Sequence, residues 1–453
     1  MNTFSVKELM VRYGMMVEEN ELGLRCVGQN KQNDEYFYKV SEALKMRGIS
    51  LFSEMVEEEF VSILEDLYES TGENLYRFDF LAMNTVDIYV RGLVMQLNRL
   101  GFETFGSCDG HDREHAHIFF ESTKDARRAE VLLKYFGLSC RLRHKTVVIR
   151  NTRYELPGYS TVLAALSPEK AYEIFKENSP LVLEEEYFSL LEQLLSIYGV
   201  SEEEGEIRQF VIEHLKPYVD HLEVDHYGNV LAQVRKGNGP VVLLNAHLDT
   251  VDDFVKGRII KKDGKIWSVS EGVLGADDRA GVCVLLAVAR TLLNSKFCGT
   301  VKFAFTVEEE IGLIGARNVA KSFLWDIDMA FVVDRRGTGD IVTSCGGYIP
   351  FCSKQFGRRV ERIGNRLHNR RWQVVNGGSS DTRIWAEQGI NSVNLSAGYN
   401  HEHTNNEILD IDANYGTYEL IMQLLKESRS LMSANLNRSS KIGESKDKLG
   451  KIG

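Results

Sequence analysis

The sequence predicts an α/β protein in which a three-layer mixed sheet carries helices on both faces and follows a small α+β domain. Three observations point there. Beyond residue 184, short apolar runs bounded by glycine and proline alternate with helical patterns, as in a sheet covered on both sides. Before residue 176, a long helical stretch is followed by strand-like pieces, which reads as α+β. The chain of 453 residues is also too long for one ordinary core, so two domains are expected.

In the N-terminal part, residues 35–70 and 87–100 read as helices, and 102–105, 116–120 and 146–149 as strands. Ser167-Pro168-Glu169 makes a good helix start, with a capping serine followed by proline at the first helical position. Pro180 marks the break after that helix, which gives an N-terminal module over 1–176 and a second domain over 184–432. In the second domain, residues 229–234, 241–245, 301–306, 329–333 and 392–396 read as buried strands, and 279–293 as a helix. Residues 433–453 are polar, rich in Ser, Lys and Gly, and read as a disordered tail.

Composition excludes several classes of partner. With 54 basic and 65 acidic residues the net charge is -11, which argues against nucleic acid or an anionic membrane. No run is long and apolar enough to span a bilayer, and Lys7, Glu8 and Arg12 interrupt any signal-like start. Seven cysteines without framework spacing suit free thiols in a cytoplasmic protein. Oligomerisation is possible but nothing indicates it.

In an open sheet of this kind, ligands bind at the carboxyl ends of the strands. His247, Glu309, Asp334 and His403 each follow a predicted strand. Histidine and carboxylate donors suit zinc, with cobalt or manganese as substitutes. A pair of ions needs a bridging carboxylate, and Asp277, in the glycine-bounded turn of GADDRAG, is the candidate. His247 and Asp334 would complete one ion, and Glu310 and His403 the other. Asp249, two residues after His247, would orient its ring. Glu309 is left for chemistry, taking a proton from the shared water and passing it to the leaving amine. Alone, a His-x-Asp pair is usually a solvated turn and an EEE run a charged face; the order and context of the whole set carry the reading. Glu308 and Asp278 are read as structural.

These strings resemble the co-catalytic zinc exopeptidases. GADDRAG and GYNHEHTNNE are similar to peptidase T motifs, TVEEEIGLIGA to those of the tetrahedral aminopeptidases, and VDHYGNVLA to the segment that enters the catalytic unit. The resemblance covers roughly 185–430 and implies two zinc ions per chain, with Asp277 as bridge, Glu309 as base and His247, Glu310, Asp334 and His403 as the other ligands. It also implies a small peptide substrate. Two departures stand out. Too few residues separate Asp249 from Asp277 for the insertion of the tetrahedral enzymes, and too few separate Asp334 from His403 for the lid of the peptidase T branch. A histidine donated by such a lid would be missing, with His368 as a conceivable substitute or simply a surface residue.

An aminopeptidase leads, with an N-acyl amino-acid deacylase or a non-catalytic binding protein on the same fold as alternatives. In GGSSDTRIW, Gly378, Ser380 and Asp381 are candidates for contact with substrate, Asp381 also as a helix cap. The basic residues from Arg358 to Arg371 could bind a carboxylate or form a solvated loop. In the first module, Cys108, His111, His115 and His117 of SCDGHDREHAH could hold zinc or form a polar turn.

Overall fold

The structure is a computed structural model that describes residues 3–20, 23–27, 31–68, 82–367 and 370–432. The expected tail over 433–453 and His368 both lie outside the described residues. The chain forms two compact units, Met1–Ser179 and Pro180–Gly453.

The second unit is built on a nine-stranded mixed sheet. Its centre is four parallel strands in the order Asn391–Ser396, Met329–Arg335, Val241–His247 and Gly299–Thr306. Antiparallel strands extend both sides, with Val230–Lys236 and His221–Val224 beyond one edge and Asp340–Cys345 beyond the other. Because side chains alternate across a strand, the central strands feed two cores. Val242, Leu244 and Ala246 join Phe331 and Val333 on one face, while Leu243 joins Ala330 and Val332 on the other.

Helices Glu184–Ser196, Ala276–Leu292 and Ile411–Lys426 cover the first face, and the short helix Asp381–Glu387 contributes to the second. The helix Ala276–Leu292 is buried all round except at Arg290. That explains its near-continuous apolar sequence, since a helix without a solvent face has no need of a polar stripe. Truncating Leu285 at its centre is expected to cost about 2–5 kcal/mol.

A second, four-stranded sheet was not foreseen. It runs Ile260–Asp263, Ile266–Val269, Ile408–Asp410 and Tyr399–Asn400, all antiparallel. His403 therefore does not follow the strand Asn391–Ser396 directly. It lies in the loop of a separate hairpin, which the strand Ile266–Val269 pins along its outer edge.

The first unit has a four-stranded antiparallel sheet in the order Thr104–Cys108, Ala116–Phe120, Thr146–Ile149 and Cys140–Arg143. Helices Ile88–Arg99, Thr123–Tyr135 and Leu156–Ala164 bury Leu93, Leu132 and Leu163 in its core. Ser167 caps Pro168–Asn178 by accepting the N–H of Lys170 at 3.2 Å, worth about 1 kcal/mol. One expectation is corrected: residues 35–70 are not a single helix. Lys31–Met46 and Glu57–Asp66 are separated by a turn at Gly48, with φ of 73°, and by the strand Glu54–Val56.

Candidate metal centre

The sheet delivers the proposed ligands to one edge. His247 ends its strand, Asp334 is the penultimate residue of the next, and Glu309 and Glu310 follow the end of Gly299–Thr306. Asp277 comes from the first turn of the buried helix, where it and Asp278 depart from helical geometry, and His403 from the hairpin loop. Their donor atoms converge. Asp277 turns one carboxylate oxygen to each histidine, Oδ1 3.1 Å from His247 Nε2 and Oδ2 3.2 Å from His403 Nε2. His247 Nε2 also lies 3.7 Å from Asp334 Oδ1, and His403 Nε2 2.8 Å from Glu310 Oε1.

Asp249 has more contacts than an orienting role for His247 requires. His247 Nδ1 lies 3.0 Å from the Asp249 backbone carbonyl and 3.3 Å from its Oδ1, and the carboxylate accepts the backbone N–H groups of Glu309 at 3.0 Å and Glu310 at 3.1 Å. Ser201 donates a further hydrogen bond at 2.7 Å. One buried residue thus fixes the imidazole, through its backbone carbonyl and its carboxylate, and the turn that presents both glutamates. Asp278 has both oxygens engaged by backbone, accepting from His247 N–H at 3.2 Å and Gly281 N–H at 3.0 Å. Those bonds make it scaffold, although its position also lets it face the cluster.

Several groups at this site escaped sequence reasoning. Glu407, fully buried, accepts the N–H groups of Gly275 at 2.7 Å and Asp277 at 3.0 Å and so fixes the bridging candidate. Gly275 sits at φ of 69°, the left-handed region that allows its amide to take that direction. Tyr399 donates to Asp334 Oδ1 at 3.1 Å, and Asn394 holds the Asp334 backbone with two hydrogen bonds. Arg279 of GADDRAG is fully buried and bonds the carbonyls of Leu248 and Gly199, which ties down the segment after His247.

The electrostatics follow from burying so many acids together. Burial, reinforced by repulsion from Asp334, Asp381 and Glu310, pushes Glu309 up to about 10. Burial likewise raises Glu310 and Asp334, and brings Asp381 up to about 6 and Glu407 to about 7. For Asp277 burial acts upward too, but hydrogen bonds from His247 and His403 outweigh it and hold the carboxyl below the usual range. His403, hydrogen-bonded to Asp277 and Glu310, rises to about 10. For His247, burial works against the charged form. Bonds to Asp249, Asp277 and Asp334 prevail, and its value lies well above normal. The chemistry of this donor set fits cations: facing carboxylates under low dielectric call for positive charge, and divalent ions supply it.

The substrate candidates divide. Gly378 is exposed, and a side chain there would meet open space. Ser380 is turned inward, capping the helix Asp381–Glu387 through the N–H of Thr382 and accepting from Asn394. Capping thus falls to Ser380, not Asp381. Asp381 is buried and accepts from Thr306 at 2.5 Å and Asn245 at 3.3 Å. Of the basic residues, Arg366 pairs with Glu427 and Arg370 bonds the carbonyls of Thr338 and Asp412.

Residues 229–426 match Peptidase family M28. A putative aminopeptidase of Acetivibrio thermocellus is 29% identical, over 36% of this chain and 72% of its own length. A putative [LysW]-lysine/[LysW]-ornithine hydrolase of Pyrobaculum aerophilum is 36% identical over 27% of this chain, but the match spans only 33% of that protein. The crystal structure of the aminopeptidase PepT from Bacillus cereus superposes with a TM-score of 0.50 at 17% identity, covering 55% of this chain and 99% of the other. That likeness shows the shared fold. In sequence and in fold the second unit is similar to the zinc exopeptidases, the resemblance that its motifs carry.

Proposed function

We propose that the second unit is a metal-dependent aminopeptidase that cleaves small peptides at an amide bond, with two zinc ions held by His247, Asp277, Glu310, Asp334 and His403. The observation that carries the reading is the split of Asp277 between the two histidines at nearly equal distance, as a bridging carboxylate requires. When bound, the ions would supply Lewis acidity to the scissile carbonyl and to the attacking water. Every other task falls to the chain. Glu309 accepts the proton of the water and returns it to the leaving amine. Asp249 keeps Glu309 and Glu310 on their turn and fixes the His247 ring. Glu407 holds Asp277 in place through two backbone amides.

A free-amine specificity is favoured by the M28 match and the aminopeptidase relative. The match to a hydrolase named for [LysW]-lysine and [LysW]-ornithine favours a second reading, hydrolysis of an acyl-amino-acid amide. A cytoplasmic location is supported by the free thiols, and no helix among the described residues is long and apolar enough to cross a membrane. The test is a panel of free-amine dipeptides, N-blocked peptides and N-acyl amino acids, run on chelated protein with zinc, cobalt or manganese restored. Metal-dependent cleavage of the free-amine class supports the aminopeptidase. Cleavage confined to the N-acyl class moves the assignment to a deacylase, and no metal-dependent cleavage of any class overturns both.

A further inference from the structure

The first unit holds a second convergence of metal-binding atoms. Asp87, Cys108 and His111 each offer a donor, and the three donors lie within 4.8 Å of one another. They come from separate places: Asp87 precedes the helix Ile88–Arg99, Cys108 ends the strand Thr104–Cys108, and His111 lies in the turn beyond it. His115 and His117, which the sequence placed beside them, are not part of this group. His117 stacks on Phe119 instead.

Two further observations separate this group from a polar turn. Asp87 is in the N-cap position, yet its side chain makes no capping bond to its own helix and is turned inward, 3% exposed, toward His111. Normally an aspartate there satisfies the helix amides, a bond worth about 1 kcal/mol. The inward carboxylate is held by Tyr68, whose hydroxyl donates to Oδ1 at 2.9 Å, and by Asp109 N–H, which donates to Oδ2 at 3.2 Å, and the neighbouring contacts orient the other two donors. Gly110 N–H donates to Cys108 Sγ at 3.3 Å, and Asp109 Oδ1 stands 3.3 Å from His111 Nδ1 while accepting the His111 backbone N–H at 2.9 Å. With Nδ1 thus engaged, Nε2 faces Asp87 Oδ2 at 3.5 Å. A carboxylate on one ring nitrogen and a shared space at the other is the usual setting of a ligating histidine. Gly110, at φ of 85° and packed against the Glu114 backbone, leaves no room for a side chain and so keeps the turn tight.

We propose that Asp87, Cys108 and His111 bind one zinc-class divalent ion, with the fourth position left to water or a small anion. One thiolate, one imidazole and one carboxylate suit zinc, and three protein donors with an open fourth position make a reactive rather than a closed site. Binding takes the Cys108 proton to solvent and forms the sulfur–metal bond in its place. The inference is independent of the hydrolytic centre, whose proposed ligands include no sulfur.

That difference supplies the test. The full chain, freed of metal by chelation, is titrated with Co2+ and followed in the near ultraviolet, where only a cobalt–thiolate bond gives a strong charge-transfer band. The band is expected to saturate at one equivalent of thiolate-bound cobalt, to vanish on adding Zn2+, and to be absent from Cys108→Ser. His111→Ala alters an exposed side chain, so folding is spared, and it should weaken cobalt binding at this band by at least about tenfold. Absence of the band from the wild-type chain, its survival in Cys108→Ser, or unchanged affinity in His111→Ala would each overturn the proposal.

Discussion

The two units each place a histidine between two carboxylates, and they do it with the same local device in opposite surroundings. In the second unit Asp249 stands by His247 Nδ1, with its Oδ1 at 3.3 Å and its backbone carbonyl at 3.0 Å, and Asp277 faces Nε2 at 3.1 Å; in the first, Asp109 Oδ1 stands 3.3 Å from His111 Nδ1 and Asp87 faces Nε2 at 3.5 Å. In both, the orienting aspartate is two residues from the histidine in sequence. The surroundings diverge. The His247 side chain is 2% exposed and looks onto a crowd of acids drawn from several strand ends. That of His111 is 60% exposed, and Arg153 already pairs with Asp112 at 2.6 Å beside it. The comparison teaches that orienting a ligand is a local matter, whereas dependence on the ion is set by how much uncompensated charge is buried around it. The buried inner cluster carries acids raised by burial and mutual repulsion, a charge balance that cations would restore, whereas the exposed outer one carries far less buried charge.

The largest effect is expected where only the inner cluster has a residue to lose. Glu309→Gln should retain metal, by elemental analysis, and lose about 10²–10⁴-fold in kcat, because proton transfer disappears while the ligands stay. Near-normal turnover would remove Glu309 from the chemistry. Next come the two orienting aspartates, measured against each other by competition with a chelator. Asp249→Asn should weaken metal binding by about 10–100-fold, since it loosens an imidazole and the turn of two glutamates together. Asp109→Asn should fall at or below the low end of that range at its own site, because an exposed ring reorients more cheaply. Equal losses would break the comparison.

The smallest effect is one of pH on stability. In the metal-free chain Glu309 rises from 4.5 to about 10 and His403 from 6.5 to about 10. Both raised values mean tighter proton binding in the folded state. Their contribution is complete below the unfolded values and is lost as pH climbs toward 10. Asp277 and Asp249 are lowered and act in the other sense, but only as pH falls through the carboxylate range. Between pH 5 and 10 the metal-free chain should therefore lose Tm steadily. The gain in Tm on adding zinc should grow with pH, as scanning fluorimetry with and without chelator would show. A gain that shrinks with pH would contradict this charge balance.

Legibility followed the length of the elements and the reach of their contacts. The central strands announce themselves because each is a long apolar run buried on both faces, and residues at their carboxyl ends inherit a common edge. The small sheet did not, since Tyr399–Asn400 and Ile408–Asp410 are too short to show alternation. A signal for its other half was present: Asp263-Gly264 between two alternating pieces is a hairpin turn. Glu407 lies just past the histidines of GYNHEHTNNE, but nothing in its spacing assigns it a partner, and only the fold brings it against the amides of Gly275 and Asp277. In the first unit, apolar periodicity carried the eye across Gly48 and joined two helices into one. The SCDGH string suggests its own neighbours as ligands, while the third donor, Asp87, arrives from the position that precedes the helix Ile88–Arg99.

The hairpin that carries His403 gives the proposed metal centre an inside and an outside. The His403 side chain is 47% open to solvent and that of His247 2%. If two ions bind as proposed, one half of the site is a door and the other a vault. Ions should leave in two stages under a chelator, a fast one from the Glu310–His403 side and a slow one from the His247–Asp334 side. Uptake should likewise be faster on the open side, with a singly occupied species accumulating in between. An enzyme of this design would respond to metal scarcity in steps, long before its fold is at risk.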